Sequence, residues 1–421
     1  MIRNGHVIDP SSATDRIADV LLADGKIAAV GEGLTAPGAE VFDASGMIVA
    51  PGFIDMHVHL REPGFEHLET IESGSRAAAA GGFTSICCMP NTKPVNDSAT
   101  VTRYIVETAQ RKAVVNVFPI GAITKGSAGE ELAAIGAMRA AGAVAISDDG
   151  RPVMNSRVMR RAMEFARSYQ VPVIDHCEDL NLSAGGDMNE GLPSVRWGLR
   201  GIPAASEDVM VARDLVLAQL TGARFHVAHI STRNAVAMVE FARRQGLAVT
   251  CEATPHHFSL TDAEMPPYDS NYKMKPPLRA GCDCAAVVEG VAAGTVTAIA
   301  TDHAPHAGSE KMQEFEACPF GIIGLETALA LTLQQLVKPG KITLNRMVEL
   351  FTTGPESVLH LGRGTLRPGA PGDITVFATD FEWTYDVNQS PSRSRNSPFH
   401  GRTFQGGPTA TIVNGQIVWQ L

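Results

Sequence analysis

The sequence predicts an α/β fold of eight strand–helix units, the number that closes a parallel (β/α)8 barrel, with a small β-rich module built from both chain ends. Three observations carry this reading. From about Met47 onward, short apolar runs alternate with amphipathic helix patterns; eight such runs can be counted; and at both ends the alternation gives way to short strand runs broken by Gly, Pro and Asp turns. A doubly wound open sheet stays open as an alternative, although it rarely needs eight units. At roughly 150 residues per domain, 421 residues suggest about three domains, but one α/β barrel can take about 250 residues by itself. A catalytic unit over 51–364 and a composite β unit from 1–50 and 365–421 fit the rhythm better.

The first fifty residues carry strand runs at 6–8, 20–22 and 27–30, punctuated by Asp-Pro, Asp-Gly and Gly-Glu-Gly turns. The eight repeating strands are expected at 48–59, 83–89, 114–123, 143–149, 171–176, 224–230, 248–253 and 296–302. Helices are expected between them at 69–80, 99–111, 130–141, 155–169, 206–220 and 234–245. The polar stretch 304–320, with Gly308, mixed charges and Pro319, has the composition of a lid or of a static surface loop. Helical patterns follow at 325–336 and 344–351. The turn Pro368-Gly369-Ala370-Pro371-Gly372-Asp373 leads into a strand at 374–377, and Asn414-Gly415 between 411–413 and 417–419 is a hairpin signal.

Lys plus Arg at 35 against Asp plus Glu at 45 leaves a net charge of −10, which excludes a basic nucleic-acid binder. With 44% apolar and 19% charged residues the chain is ordinary for a soluble globular protein and too apolar for a disordered one. Seven cysteines form an odd set without disulfide-like spacing, so a reducing, cytoplasmic setting is expected. No stretch approaches ~20 continuous apolar residues, and the opening Met-Ile-Arg-Asn-Gly reads as strand and turn, so neither a membrane partner nor an export signal is expected.

Chemistry-bearing residues gather at predicted strand ends. Asp55-Met56-His57-Val58-His59 ends the first strand, and residues two apart on a strand share a face, so both imidazoles can enter the barrel mouth. By itself the pair also fits two hydrogen-bonded core histidines. Asp148-Asp149, His176, His229 and Asp302 end strands four, five, six and eight, and active sites of such barrels lie at that mouth. Imidazoles and carboxylates are ligands for zinc and similar ions, and six of them exceed one open tetrahedral site. Two ions with a bridging carboxylate fit better; such a pair can activate water and polarise the carbonyl of an unreactive amide. Pleat alternation lets only one of Asp148 and Asp149 face inward. His226, three residues before His229, is expected to face the other way. His256 or His257 could line the pocket, whereas His6, His67, His360 and His400 have no partner pattern.

Pro51-Gly52-Phe53-Ile54-Asp55-Met56-His57-Val58-His59 and Ala300-Thr301-Asp302-His303-Ala304-Pro305-His306 resemble the amidohydrolase superfamily. His59-Leu60-Arg61-Glu62-Pro63-Gly64, Met89-Pro90-Asn91-Thr92, Ser147-Asp148-Asp149-Gly150, His176-Cys177-Glu178-Asp179 and Pro319-Phe320-Gly321 resemble the long-chain, type I dihydroorotases nearly end to end. The resemblance implies a distorted TIM barrel with a composite β domain. It also implies reversible cyclisation of N-carbamoyl-L-aspartate to dihydroorotate in pyrimidine synthesis. Two zinc ions per chain are implied: His57, His59 and Asp302 on the first, His176 and His229 on the second, and Asp149 bridging. The same resemblance implies a zinc-bound hydroxide as nucleophile and Asp302 as general base and acid. Substrate would meet His59, Leu60, Arg61, Asn91, His306, Phe320 and Gly321. Lys275 stands where the family often has asparagine, and is a candidate point charge for the substrate carboxylate. For Arg61 the competing reading is an ion pair with Glu62 or Glu66. A homodimer and an association with aspartate carbamoyltransferase are further implications. Hydantoinases and dihydropyrimidinases bridge their ions with a carboxylated lysine, and 143–150 contains no lysine. A hydantoinase- or allantoinase-type hydrolase, or a silent scaffold subunit that should have lost ligands, are the alternatives.

Overall fold

The computed structural model describes all residues 1–421. The chain ends build one eight-stranded sheet. Its N-terminal strands are β1 (Ile2–Asp9), β2 (Thr14–Ala23), β3 (Lys26–Gly31), β4 (Phe42–Asp43) and β5 (Ile48–Pro51). The order is β17 (Gln416–Gln420), β16 (Thr403–Val413), β15 (Ile374–Thr384), β5, β1, β2, β3, with β4 beside β1, so β5 joins the first strands to the last three. Ile2, Val7, Val20, Ile27, Val49, Leu366, Ile374 and Ile412 form one buried cluster on this sheet.

After β5 come β6 (Phe53–Val58), α1 (Ile71–Ala80), β7 (Phe83–Cys88), α2 (Ala99–Lys112), β8 (Asn116–Pro119), α3 (Ile135–Ala140), α4 (Ser156–Ser168) and β9 (Val173–Asp175). A short parallel pair, β10 (Met188–Asn189) and β11 (Gly201–Ile202), brackets α5 (Leu192–Trp197). Then follow α6 (Ala205–Thr221), β12 (Phe225–Val227), α7 (Arg233–Arg244), β13 (Val249–Ala253), α8 (Pro255–Ser259), α9 (Gly281–Ala293), β14 (Ala298–Ile299), α10 (Gly308–Lys311), α11 (Ala328–Thr332), α12 (Leu344–Phe351) and α13 (Thr353–Leu359). The chain closes with β15 (Ile374–Thr384), β16 (Thr403–Val413) and β17 (Gln416–Gln420). Side-chain caps fix several helix starts: the Thr70, Thr232 and Thr343 hydroxyls accept from Ser73, Ala235 and Arg346 amides, supplying acceptors that a first helical turn lacks.

The central strands form two parallel sheets, β6-β7-β8 and β14-β13-β12-β9. Single-residue parallel bridges run between Gly121 and Ile146, Ile146 and Val173, and Val58 and His303. The molecule is therefore α/β, with the parallel strands flanked by helices and an antiparallel-rich sheet at one side. An aromatic cluster joins the two parts: Phe53 stacks on Phe351 at 5.0 Å between centroids and lies 5.9 Å from Phe377 of β15. All three rings are fully buried, each contributing roughly 1.5–3 kcal/mol.

Several elements differ from expectation for local reasons. The run 48–59 is two strands: β5 pairs with β1 and β15, and β6 pairs with β7. Gly52 is the break, because its amide donates to the Asp373 carbonyl at 2.8 Å and a Cβ there would collide with Thr84. The helix expected over 130–141 starts only at Ile135, since Glu131 and Ala133 hydrogen-bond back to Lys125 and Ile123. The run 143–149 contributes one bridging residue, Ile146, rather than a full strand. The pattern 325–336 becomes α11 followed by a π-helical turn at Leu333–Val337. Helix α9 lies outside the expected elements, although its buried Ala286, Val287, Gly290 and Val291 fall at helical spacing.

Candidate metal centre and active site

The pattern that put histidines at strand ends also brings them together. His57 and His59 project from the end of β6, while His176 and His229 follow β9 and β12. Two donor groups result, His57–His59–Asp149 and Asp149–His176–His229, in each of which the ligand atoms lie within 4.8 Å of one another. Asp149 belongs to both. Its Oδ1 stands 3.3 Å from His57 Nε2, 3.7 Å from His176 Nδ1 and 3.6 Å from His229 Nε2, and its Oδ2 is 3.5 Å from His59 Nε2. Asp302 lies against the first group, 2.9 Å from His59 Nε2 and 3.5 Å from His57 Nε2. Asp148 is turned away: it accepts from the Ile123 and Thr124 amides and the Thr124 hydroxyl, and burial pushes its carboxyl up to about 6.

The outward imidazole nitrogens are handed to acceptors. His57 Nδ1 donates to Glu252 at 2.7 Å, His59 Nδ1 to the Asn91 side-chain oxygen at 2.9 Å, and His176 Nε2 to Glu178 at 2.9 Å. Each bond fixes a tautomer and leaves the other nitrogen free to face Asp149. Glu252 is in turn 3.3 Å from His226 Nε2, and His226 Nδ1 meets Thr250 at 2.7 Å. His226 therefore does not turn away as its spacing suggested; the chain beyond β12 departs from strand geometry, with His229 at φ 31°, and His226 sits beneath the centre.

The electrostatics fit a cation. Burial would raise Asp149 and Asp302, yet the surrounding imidazoles hold both carboxyls well below the usual range. Burial lowers His57 and His176, but Asp149 with Glu252 lifts the first well above its ordinary value, and Asp149 with Glu178 lifts the second to about 10. Without an ion, protons occupy the positions that a metal displaces. His57 Nε2 and Asp149 Oδ1 are buried with no hydrogen-bond partner, which fits the donor set to a metal.

Beside this centre, Arg61 Nε donates to the Pro305 carbonyl at 3.2 Å, and its Nη2 lies 3.4 Å from His306 Nε2. Arg61 has no carboxylate partner, so its pairing with Glu62 or Glu66 does not occur; Glu62 instead caps Ile71 and meets Lys112. His306 Nε2 donates to the Phe320 carbonyl at 2.9 Å. Gly321, at φ 135°, is crowded by Ala304, so glycine is needed there. Leu60 is buried in the main core against Gly74, leaving only its backbone for a ligand. Lys275 Nζ is 2.7 Å from Glu178 Oε1 and 5.1 Å from the Phe320 ring. Of the two later histidines, His257 is engaged by Thr254 and the Pro276 carbonyl, whereas His256 Nε2 is buried without a partner and burial lowers that imidazole to about 4.

Sequence reasoning missed Glu252 and Asn396. Glu252 is the one charged residue of β13 and is fully buried, a signal in its own right. Asn396 donates to the Ala304 and Gly321 carbonyls and accepts from the His306 amide, stitching the segment together. The stretch 304–320 is tied down by two buried lysines: Lys311 donates to the Lys273 and Pro319 carbonyls, and Lys273 to the Phe315 and Glu316 carbonyls.

A family model described as dihydro-orotase-like matches residues 46–235. A dihydroorotase from Solibacter usitatus is 81% identical over 419 residues, covering 100% of this chain and 97% of that one. A dihydroorotase from Pelotomaculum thermopropionicum is 53% identical over 420 residues, covering 100% and 98%. Among solved structures, an L-hydantoinase (dihydropyrimidinase) from Arthrobacter aurescens superposes with a TM-score of 0.89 at 25% identity, covering 100% and 95%.

Proposed function

The chain belongs to the dihydroorotase family of the amidohydrolase superfamily and is a cyclic amide hydrolase of that activity, and from this premise we propose how its residues perform the reaction. The observation that carries the proposal is the pair of donor groups sharing Asp149, with Asp302 beside them. His57, His59 and Asp302 would hold one divalent ion, His176 and His229 a second, and Asp149 both; zinc suits this nitrogen and oxygen set. When bound, the ions acidify water and polarise the ring carbonyl.

Asp302 takes the proton from the attacking water and passes it to the leaving ring nitrogen, so that the carbon–nitrogen bond breaks as the carboxylate forms. In ring closure the same carboxylate takes the proton from the carbamoyl nitrogen as it attacks the carboxyl carbon, and returns it to the departing oxygen, so that the carbon–oxygen bond breaks and water leaves. Arg61 offers a planar fork to the substrate carboxylate, with His306 at its flank. Because the Asn91 oxygen is engaged by His59, its amide NH2 is the part left for substrate. The Leu60 backbone and Phe320-Gly321 complete the wall.

We read the two parallel sheets as one distorted (β/α)8 barrel, supported by the single-residue bridges that join them, and the division into 51–364 and a composite unit of 1–50 with 365–421 is supported by the sheet that both ends share. A reducing, cytoplasmic setting is supported by seven cysteines without a disulfide, and no helix is long and apolar enough to cross a membrane. Homodimerisation and association with aspartate carbamoyltransferase remain proposals for a sedimentation experiment. The function is tested by assaying dihydroorotate, hydantoin and allantoin side by side, with carbamoyl aspartate for the reverse direction. Turnover of dihydroorotate far above the other two is expected, and preference for hydantoin would overturn the assignment.

A further inference from the structure

We propose that Glu178 and Lys275 form a positioning pair for His176, and that Lys275 serves this pair rather than the substrate carboxylate. The proposal rests on the reading of His176 as a metal ligand. His176 lies at the end of a three-residue strand, where its ring can turn about a soft χ2. Its Nδ1 faces Asp149 and lies 3.0 Å from His229 Nε2, so the inward nitrogen is Nδ1 and the ring is aimed by whatever holds Nε2. That acceptor is Glu178 Oε2, at 2.9 Å.

Glu178 is itself buried, at 5% exposure, so its charge needs a partner. Lys275 supplies it at 2.7 Å from the other carboxylate oxygen, and the aromatic face of Phe320 flanks the ammonium. The same logic recurs at His57, whose acceptor Glu252 is backed by His226. At His59 the acceptor is the neutral Asn91, which needs no counter-charge. Each buried acidic acceptor thus has its own basic partner on the far side from the imidazole. An asparagine at 275 could not neutralise Glu178. For Lys275 to grip substrate it would have to leave the second carboxylate oxygen of Glu178, Oε1, buried with no cation beside it.

The test uses the holoenzyme and follows ion release to a chromophoric chelator, the absorption bands of the cobalt(II)-substituted enzyme, and steady-state kinetics. Lys275→Ala and Glu178→Gln are each expected to loosen the ion held by His176 roughly ten- to hundred-fold. Both should shift the cobalt bands and lower kcat, with KM for carbamoyl aspartate within about twofold of wild type once metal is saturating. Lys275→Arg, which keeps the charge, should restore ion retention. Arg61→Ala is the control: KM rises while ion release and cobalt bands stay put. Wild-type ion release in Lys275→Ala together with a raised KM would overturn the pair and return Lys275 to the substrate. A wild-type enzyme that holds no divalent ion would overturn the metal reading and the pair with it, and the wild type alone would reveal that.

Discussion

Three residues at the centre, Arg61, His229 and Asp302, have backbones in the left-handed region, at φ 60°, 31° and 48°. None is glycine, and each such conformation costs on the order of 1–3 kcal/mol unless its surroundings enforce it. Asp302 is held in place by His59, and that bond would aim the carboxylate in the proposed proton transfer. Asp302→Asn should keep the fold and lose about 10²–10⁴-fold in kcat in both directions, since an amide cannot take the proton. Turnover at a third or more of wild type, with metal content unchanged by elemental analysis, would remove Asp302 from the reaction. Arg61→Ala should raise KM by roughly ten- to hundred-fold, the equivalent of a charge-assisted contact of about 1.5–3 kcal/mol, with a smaller change in kcat. At this scale the inward-facing residues were legible, because spacing at strand ends is a one-dimensional signal. The outward partners were not: Glu252 acquires meaning only when a distant strand sets it against the far nitrogen of His57, and Glu178 only when the chain after β9 turns back so that its carboxylate meets the ring of His176, two residues before it.

Between elements, Asp55 of β6 binds the Thr301 amide at 3.2 Å and the Thr301 hydroxyl, tying the first parallel strand to the segment that carries Asp302. Burial pushes its carboxyl up from 3.8 to about 7, the Thr301 and His57 bonds offsetting only part of the rise. The folded chain therefore keeps this proton while the unfolded chain has already lost it. The contribution is full below about pH 4, falls as pH rises toward 7, and is constant above. The full difference is on the order of 4 kcal/mol. Asp55→Asn, which cannot ionise, should gain stability relative to wild type as pH climbs from 4.5 to 7.5. Thermal unfolding of both chains across that window checks it, and a gap that does not change with pH would count against the assignment. The order of the strand–helix units was legible because the apolar period switches from about two to about 3.6, whereas their number was not, since the run 143–149 shrinks to the single bridging residue Ile146. The break at Gly52 was not, since 48–59 reads as one apolar run; the second strand begins there because Thr84 and Asp373, distant in sequence, close around the glycine.

Across the whole molecule, the centre draws its donors from residues 57 to 302, on both parallel sheets. The sheet made by the chain ends supplies none of them. Its strand pairing could be expected from the β-rich ends, but its join to the core, through Phe53, Phe351 and Phe377, depends on packing that sequence spacing does not encode. Ions bound at the centre act as cross-links present only in the folded chain, because the donors are scattered once it unfolds. Binding of this kind stabilises by about 4 kcal/mol per ion at a free concentration a thousand times Kd. Stripping the enzyme with a strong chelator should therefore abolish activity in both directions and lower Tm by several degrees, and added zinc should restore both together. Since Asp149 serves both donor groups, fully active protein should carry two ions per chain by elemental analysis. Full activity with one ion or none would overturn the two-ion reading, and an unchanged Tm after complete stripping would show that the parallel strands hold their arrangement without the metal.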